Sequence, residues 1–317
     1  MRALLLATAL LLAACAMPAG TPVRHFDLQG HRGARGLAPE NSLAAFTRAL
    51  DLGVTTLELD IGVTRDGVVM VHHDERLNPN FTRDAQGAWI TQPTPRIRDL
   101  TAAEVASYNI GQLKPGTAYA NQFPEQGARE REAIPRLADL FELVKQRGDT
   151  RVRFNIETKL TPDKPDDTVG PDAMAAALLR AIAEHGMEGR VSIQSFDWRT
   201  LRLVQAQRPA IPTVCLTARY PNFNTVSPAW NAGLRLEGGS LPELAKRAGC
   251  AIWSPNFQDV DSAAVASARI HELQVIPWTV NRREDIARLI ELNVDGLISD
   301  RPDLALAELK ARNIKVR

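Results

Sequence analysis

From residue 151 onward, short runs rich in β-branched and aromatic residues alternate with runs whose apolar positions recur every three to four residues. That alternation is the pattern of a parallel sheet wound with helices. It predicts strands at 151–159 (RVRFNIETK), 191–196, 211–217, 251–254, 274–280 and 295–299. Start and stop signals frame the helices between them. Asp197 precedes a helix over 198–208, while Ser240 with Glu243 and Asn281 with Glu284 have the spacing of capping boxes. Gly186 and Gly249 stand where helices should end. The N-terminal part adds a strand at 26–31 with a helix at 42–52, and a strand at 55–61 with a helix at 136–147. Eight such units predict an α/β fold of the closed (β/α)8 TIM-barrel type over 25–317.

The second unit is interrupted. ELDIGVT passes through Arg65-Asp66-Gly67 into VVMVHHD, and an Asp-Gly turn between two apolar runs signals a hairpin. Residues 75–133 then bring closely spaced prolines and glycines and few periodic apolar positions. They are expected to form an insertion over the barrel mouth, with a short helix near 101–107.

The chain opens with Met1-Arg2, an uncharged run and then Leu12-Ala13-Ala14-Cys15. The run falls short of the ~20 apolar residues that span a bilayer, and it has the make-up of a secretory signal peptide over 1–14. Small residues directly before Cys15 resemble a bacterial lipobox. On that reading Cys15 is acylated, 15–24 tether the barrel to a membrane, and the protein faces the periplasm, with Ala16 favouring the outer membrane. An ordinary signal peptide with an incidental cysteine is the alternative. Without Arg2, Lys+Arg falls from 38 to 37 against 37 Asp+Glu, so nothing suggests a nucleic acid or other polyanion partner. Cys215 and Cys250 lie in apolar segments and are expected to be buried thiols, although an oxidising compartment would permit a bridge.

In a barrel of this kind the working residues sit at the C-terminal ends of the strands, and those ends are unusually polar here. Strand alternation puts Glu58 and Asp60 on one face of 55–61, opposite Leu57, Leu59 and Ile61. Asn155, Glu157 and Lys159 repeat the arrangement on the next strand. Three carboxylates with no cysteine or clustered histidine among them suit a hard divalent cation, Ca²⁺ or Mg²⁺, better than Zn²⁺. A salt-bridge set with Lys159 would be the structural alternative. His31 and His73 could remove and donate protons beside such a cation, whereas His72 points the other way by parity.

These residues fall in segments that closely resemble glycerophosphodiester phosphodiesterases. HRGARGLAPENSLAAFTRALDLGVTTLELDIGVTRDGVVMVHHDERL is similar to that family's opening, and the likeness continues through IPRLADL, NIETK, QSF, PWTVN and DGLISDRPD. The resemblance implies that His31 and His73 are the acid/base couple, that Glu58, Asp60 and Glu157 bind the metal, and that Arg32 and Lys159 hold the phosphate. It also implies that Glu40 and Asn41 brace the Arg32 loop, with Asn41 able to cap the 42–52 helix, and that Gln194 and Trp278 line the pocket. The implied activity is hydrolysis of a glycerophosphodiester to glycerol 3-phosphate and an alcohol. Two readings stay open: a related enzyme of the lysophospholipase D or sphingomyelinase D type, and a catalytically silent binding lipoprotein on the same barrel.

Overall fold

A computed structural model describes residues 25–316. Residues 1–24, with the expected signal peptide, Cys15 and tether, lie outside the described residues.

The barrel strands are β1 (His25–Gly30), β2 (Thr56–Val63), β3 (Arg153–Thr158), β4 (Val191–Ser195), β5 (Thr213–Thr217), β6 (Ile252–Pro255), β7 (Gln274–Val275) and β8 (Gly296–Ser299). Neighbours pair in parallel from β7 back through β6, β5, β4, β3, β2 and β1 to β8. Asp295 N donates to Val275 O and Ile298 N to Pro277 O, each at 2.9 Å, and these bonds close the sheet between β7 and β8. The predicted 274–280 strand is assigned over only its first part, but Trp278 N still donates to Pro255 O and Val280 N to Ile298 O. The helices outside the sheet are α1 (Leu43–Leu52), α2 (Leu137–Gln146), α3 (Pro171–Glu184), α4 (Trp198–Gln207), α5 (Leu241–Arg247), α6 (Ser262–Ile270), α7 (Arg283–Glu291) and α8 (Pro302–Ala311).

The apolar face of each strand turns outward to these helices. Leu57, Leu59, Ile61, Phe154, Ile156 and Ile193 belong to one buried cluster with Phe46, Phe141 and Leu178 of the helices. Each such side chain contributes about 1.5–3 kcal/mol by leaving water. A one-residue slip of β2 would drive Glu58 and Asp60 into that layer, so the register is strongly specified. The inward faces divide. Gln29, Glu58, Asp60, Asn155, Glu157 and Gln194 form a polar half, while Val214, Ile252, Ile276 and Ile298 pack together as a small apolar cluster with Trp278.

The strand at Val69–Val71 folds back antiparallel on β2, pairing Ile61 with Val71 and Val63 with Val69. The insertion that follows has its own core of Leu77, Phe81, Ile97, Val105, Ile110 and Ile134 against Met70. Its helix Ala102–Ser107 starts in a capping box between Thr101 and Glu104. It reaches the barrel mouth through Gly127 N, which donates to Leu37 O, and through Arg301, which pairs with Glu125.

Three expectations are corrected. Asn281 does not cap α7, whose N-cap is Arg282 without a side-chain bond; its amide is drawn instead to Asp300 and Ser299. Asn41 does not cap α1 either, because Ser42 accepts from Ala45 N. Cys215 and Cys250 are not free thiols but a disulfide, with Cα atoms 5.9 Å apart. The β5–β6 pairing places Cys215 beside Trp253, and the turn leaving α5 carries Cys250 over the same outer layer. The bridge spans 35 positions, and a loop of that size contributes about 3–4 kcal/mol by restricting the unfolded chain. The double variant Cys215→Ala/Cys250→Ala should melt roughly 5–10 °C lower, as calorimetry would measure; an unchanged melting temperature would show that the bridge adds nothing.

Candidate active site

The polar half of the barrel interior rises into the loop after β1. Arg32 and Gly33 both have positive φ, 49° and 85°. A Cβ on Gly33 would lie 2.6 Å from the Ala45 backbone carbon, so glycine lets the turn press on α1. This turn aims the Arg32 backbone N–H at Glu58 Oε2, 2.8 Å away. The guanidinium donates from Nη1 to Glu40 Oε1 at 2.6 Å, and its Nε stands 3.3 Å from Asp60 Oδ2. The insertion supplies Tyr119, whose hydroxyl donates to the other oxygen of Glu40. Asn41, also at positive φ, donates Nδ2 to Asp60 Oδ2 at 2.9 Å and its backbone N–H to Arg32 O at 3.0 Å.

Parallel register aligns Asp60 with Glu157 and Glu157 with Gln194 on successive strands. Glu58, Asp60 and Glu157 are all buried, and they offer carboxylate oxygens within 4.8 Å of one another. Lys159 Nζ lies 2.7 Å from Glu157 Oε1 and 3.6 Å from Asp60 Oδ1. Gln194 donates Nε2 to Glu58 Oε1 at 2.6 Å and accepts from Asn155 Nδ2 at 2.9 Å. It lines the cavity, but its amide braces a carboxylate rather than standing free for a ligand.

The electrostatics test whether a cation fits. Burial and the neighbouring Asp60 raise the Glu58 carboxyl well above the usual range. Burial pushes Glu157 up to about 7, with Asp60 adding to it against the pull of Lys159. Burial also opposes ionisation of Asp60, but His73, Arg32 and Lys159 outweigh it and hold that group well below the ordinary range. Three buried carboxylates at this spacing do not all ionise by themselves; a divalent cation with oxygen preference would stabilise them together. The trio therefore fits such an ion.

Each histidine is held by a carboxylate on its Nδ1. His31 Nδ1 lies 2.6 Å from Asp300 Oδ1, and His73 Nδ1 lies 2.7 Å from Asp74 Oδ1. Asp300 is itself gripped by Arg35 through Nε at 2.8 Å and Nη2 at 3.0 Å, and by Asn281 Nδ2 at 2.7 Å. Burial lowers His31 to about 4 despite the attraction of Asp300. Arg35 and His31 overcome burial to keep Asp300 ionised far below the usual carboxylate range. A neutral His31 thus donates Nδ1–H to Asp300 and keeps a lone pair on Nε2, which faces Glu58 Oε2 at 3.9 Å. Burial and the cations Arg32 and Lys159 likewise lower His73. His72 is elsewhere: its Nε2 is 3.3 Å from Arg76 O, and its ring meets the edge of Phe81 in the insertion.

His31, Arg32, Glu58, His73, Glu157, Lys159, Gln194 and Trp278 line one cavity of about 240 Å³. Asp60, Glu40 and Asn41 do not line it but each bind Arg32, which does. Trp278 is fixed by Nε1–H donation to Ser254 O at 3.0 Å. A larger groove of about 760 Å³ beside Pro171, Arg199, Arg202 and Pro228 contains none of these groups. Sequence reasoning missed Asp300, Arg35 and Tyr119. Asp300 directly follows Ser299, the last residue of β8, so the rule that strand ends carry chemistry was the signal available for it.

Comparison with known proteins agrees with this geometry. The model of the glycerophosphoryl diester phosphodiesterase family matches residues 31–304. A glycerophosphodiester phosphodiesterase of Caldanaerobacter subterraneus is 32% identical over 273 residues, which is 86% of this chain and 93% of the relative. A solved structure from Silicibacter pomeroyi, assigned to the same enzyme family, is 34% identical with a TM-score of 0.84, covering 94% of this chain and 97% of that one. An Oleispira antarctica phosphodiesterase solved with sn-glycerol-3-phosphate shares the fold at a TM-score of 0.66 and 20% identity, covering 90% and 96% of the two chains. With the barrel, the carboxylate trio and its flanking histidines already in view, the chain belongs to the glycerophosphoryl diester phosphodiesterase family.

Proposed function

We propose that the protein hydrolyses water-soluble glycerophosphodiesters to glycerol 3-phosphate and an alcohol, using one divalent cation, Ca²⁺ or Mg²⁺. The observation that carries this reading is the pairing of a buried carboxylate trio with two histidines, each oriented through Nδ1 by its own aspartate. The Oleispira antarctica phosphodiesterase, solved in complex with the product sn-glycerol-3-phosphate, is consistent with it.

Glu58, Asp60 and Glu157 would hold the cation, with Asn41 and Gln194 steadying them. When bound, the cation supplies a positive centre that offsets charge building on the phosphoryl oxygens. Arg32 and Lys159 add fixed positive charge on the same side of the cavity. One histidine takes the proton from the substrate's 2-hydroxyl as that oxygen bonds to phosphorus. The bond from phosphorus to the alcohol oxygen breaks, and the other histidine, which has to enter the step with a proton on its Nε2, gives that proton to the departing oxygen. In the second step the histidines exchange roles, water opens the cyclic phosphate, and glycerol 3-phosphate leaves. Paired acid/base histidines favour this over a silent binding protein, which has no use for them.

The test is to assay purified protein with glycerophosphocholine, glycerophosphoglycerol, micellar lysophosphatidylcholine and sphingomyelin, each with added Ca²⁺ or Mg²⁺. Release of glycerol 3-phosphate from the soluble diesters is expected. Turnover restricted to the micellar lipids would replace this reading with the lipid-cleaving one, and none at all would leave the binding protein.

The proposal extends to location: Cys15 is acylated, and residues 16–24, which reach at most ~30 Å when extended, keep the enzyme at the periplasmic face of an envelope membrane. Cys15→Ser should move the protein from the membrane fraction to the soluble fraction, with kcat/KM on soluble diesters changing by no more than about fivefold, because the site residues all follow the tether. Wild-type protein carrying no lipid by mass spectrometry would end the idea.

A further inference from the structure

A second pocket of about 310 Å³ shares His73, Glu157, Lys159, Phe196 and Trp278 with the cavity and continues it outward. Its outer wall is aromatic. Phe196, Tyr220, Phe223, Trp230 and Trp278 supply it, five of only 17 Phe, Tyr and Trp residues in the chain. They arrive from three separate loops. Phe196 follows β4, Trp278 follows β7, and Tyr220 and Phe223 lie on a short hairpin between β5 and α5. Their rings meet edge to face, with centroids 5.2 Å apart for Phe196 and Phe223, 5.3 Å for Phe196 and Trp278, and 5.7 Å for Phe223 and Trp230. Tyr220 and Phe223 are nonetheless 38% and 37% exposed, which leaves apolar surface uncovered beside the site.

The polar groups narrow the occupant. Asp74 and Glu75 line the same pocket, and Thr161 Oγ1 donates to Glu75 Oε1 at 3.0 Å. The cation at its floor, Lys159, is already bound to Glu157 and Asp60. Two wall groups already take part in hydrogen bonds: the Tyr220 oxygen accepts from Asn256 Nδ2, and Trp278 Nε1 donates to Ser254 O. A sugar alcohol could donate to the two carboxylates but would leave the ring faces of the wall unused. An acyl chain would lie against two carboxylates. A quaternary ammonium has what this wall offers, since its methyl groups fill aromatic surface and its charge is attracted to ring faces and to carboxylates.

We propose that the outer pocket is the leaving-alcohol subsite and that it selects a choline-type, trimethylammonium alcohol. The proposal rests on the diester hydrolysis argued above, and it names the diester.

The experiment compares kcat/KM for glycerophosphocholine and glycerophosphoglycerol in the full-length protein and in Phe223→Ala, Tyr220→Ala and Phe223→Tyr, with folding verified by circular dichroism. Wild type should favour the choline diester about tenfold, the scale of one cation–π contact. The ratio should fall towards one in the two alanine variants and persist in Phe223→Tyr. A wild-type ratio near one, or a ratio unmoved by both alanine variants, would overturn the subsite. If no diester is turned over, the hydrolysis reading fails by itself. The subsite is then decided by titrating choline chloride against tryptophan fluorescence: saturable quenching lost in Phe223→Ala supports it, and no quenching in wild type refutes it.

Discussion

His73→Ala should lose ~10² to 10⁴ in kcat, the span usual for a general acid or base, while His72→Ala keeps most of the turnover of its folded fraction. The two neighbours differ in surroundings and not in chemistry. His73 faces the cavity with Nδ1 on Asp74, whereas His72 is buried against Phe81 and Arg76 O. Removing His72 should therefore appear as lowered stability, and removing His73 as lowered catalysis. Single-turnover assays on protein checked by circular dichroism separate these effects, and equal losses of kcat in both variants would sink the assignment. Asp300→Asn extends the test. It leaves His31 in place but removes the anion that orders its Nδ1–H and is shared with Arg35, so kcat should fall at least ~10-fold with little change in KM.

Exhaustive chelation should abolish turnover, and Ca²⁺ or Mg²⁺ should restore it. Glu58, Asp60 and Glu157 repel one another at their spacing unless a cation or protons intervene. Glu157→Gln should weaken cation binding measured by calorimetry, because it removes one of three charged oxygen donors. Gln194→Ala should cost about 10- to 100-fold in metal affinity, the range for partners that orient a ligand without touching the ion. Full activity after chelation, or unchanged affinity in Glu157→Gln, would mean that the trio is a structural salt-bridge set with Lys159.

The shared faces of the strand carboxylates were legible along the chain because strand geometry is local, whereas the expected roles of Arg32, Lys159, Glu40, Asn41, Gln194 and Trp278 came from the family resemblance. A period of two fixes which side chains share a face, so Glu58 with Asp60 and Asn155 with Glu157 follow from spacing alone. The eight alternating units, the hairpin at Asp66-Gly67 and the caps at Asp197 and Ser240 are local in the same sense. Convergence between distant segments is not. Asp300 meets His31 across 269 positions, and only closure of β8 onto β1 brings them together. Asn281 shows the same limit: its spacing to Glu284 satisfied a capping rule, but a buried anion nearby is the stronger partner for its amide. Cys215 and Cys250 could be placed in apolar segments, yet their pairing depended on how the turn after α5 carries Cys250 over β5. The insertion hid its own core, Phe81 and Ile110 included, because irregular chain gives apolar residues no period. By itself, then, the sequence determined the strand faces, the order of βα units and the chemistry available at each strand end. The tertiary structure alone decided which carboxylate orients His31, which thiols pair and which aromatic rings gather outside the cavity, since those are distances between segments that only the closed barrel makes neighbours.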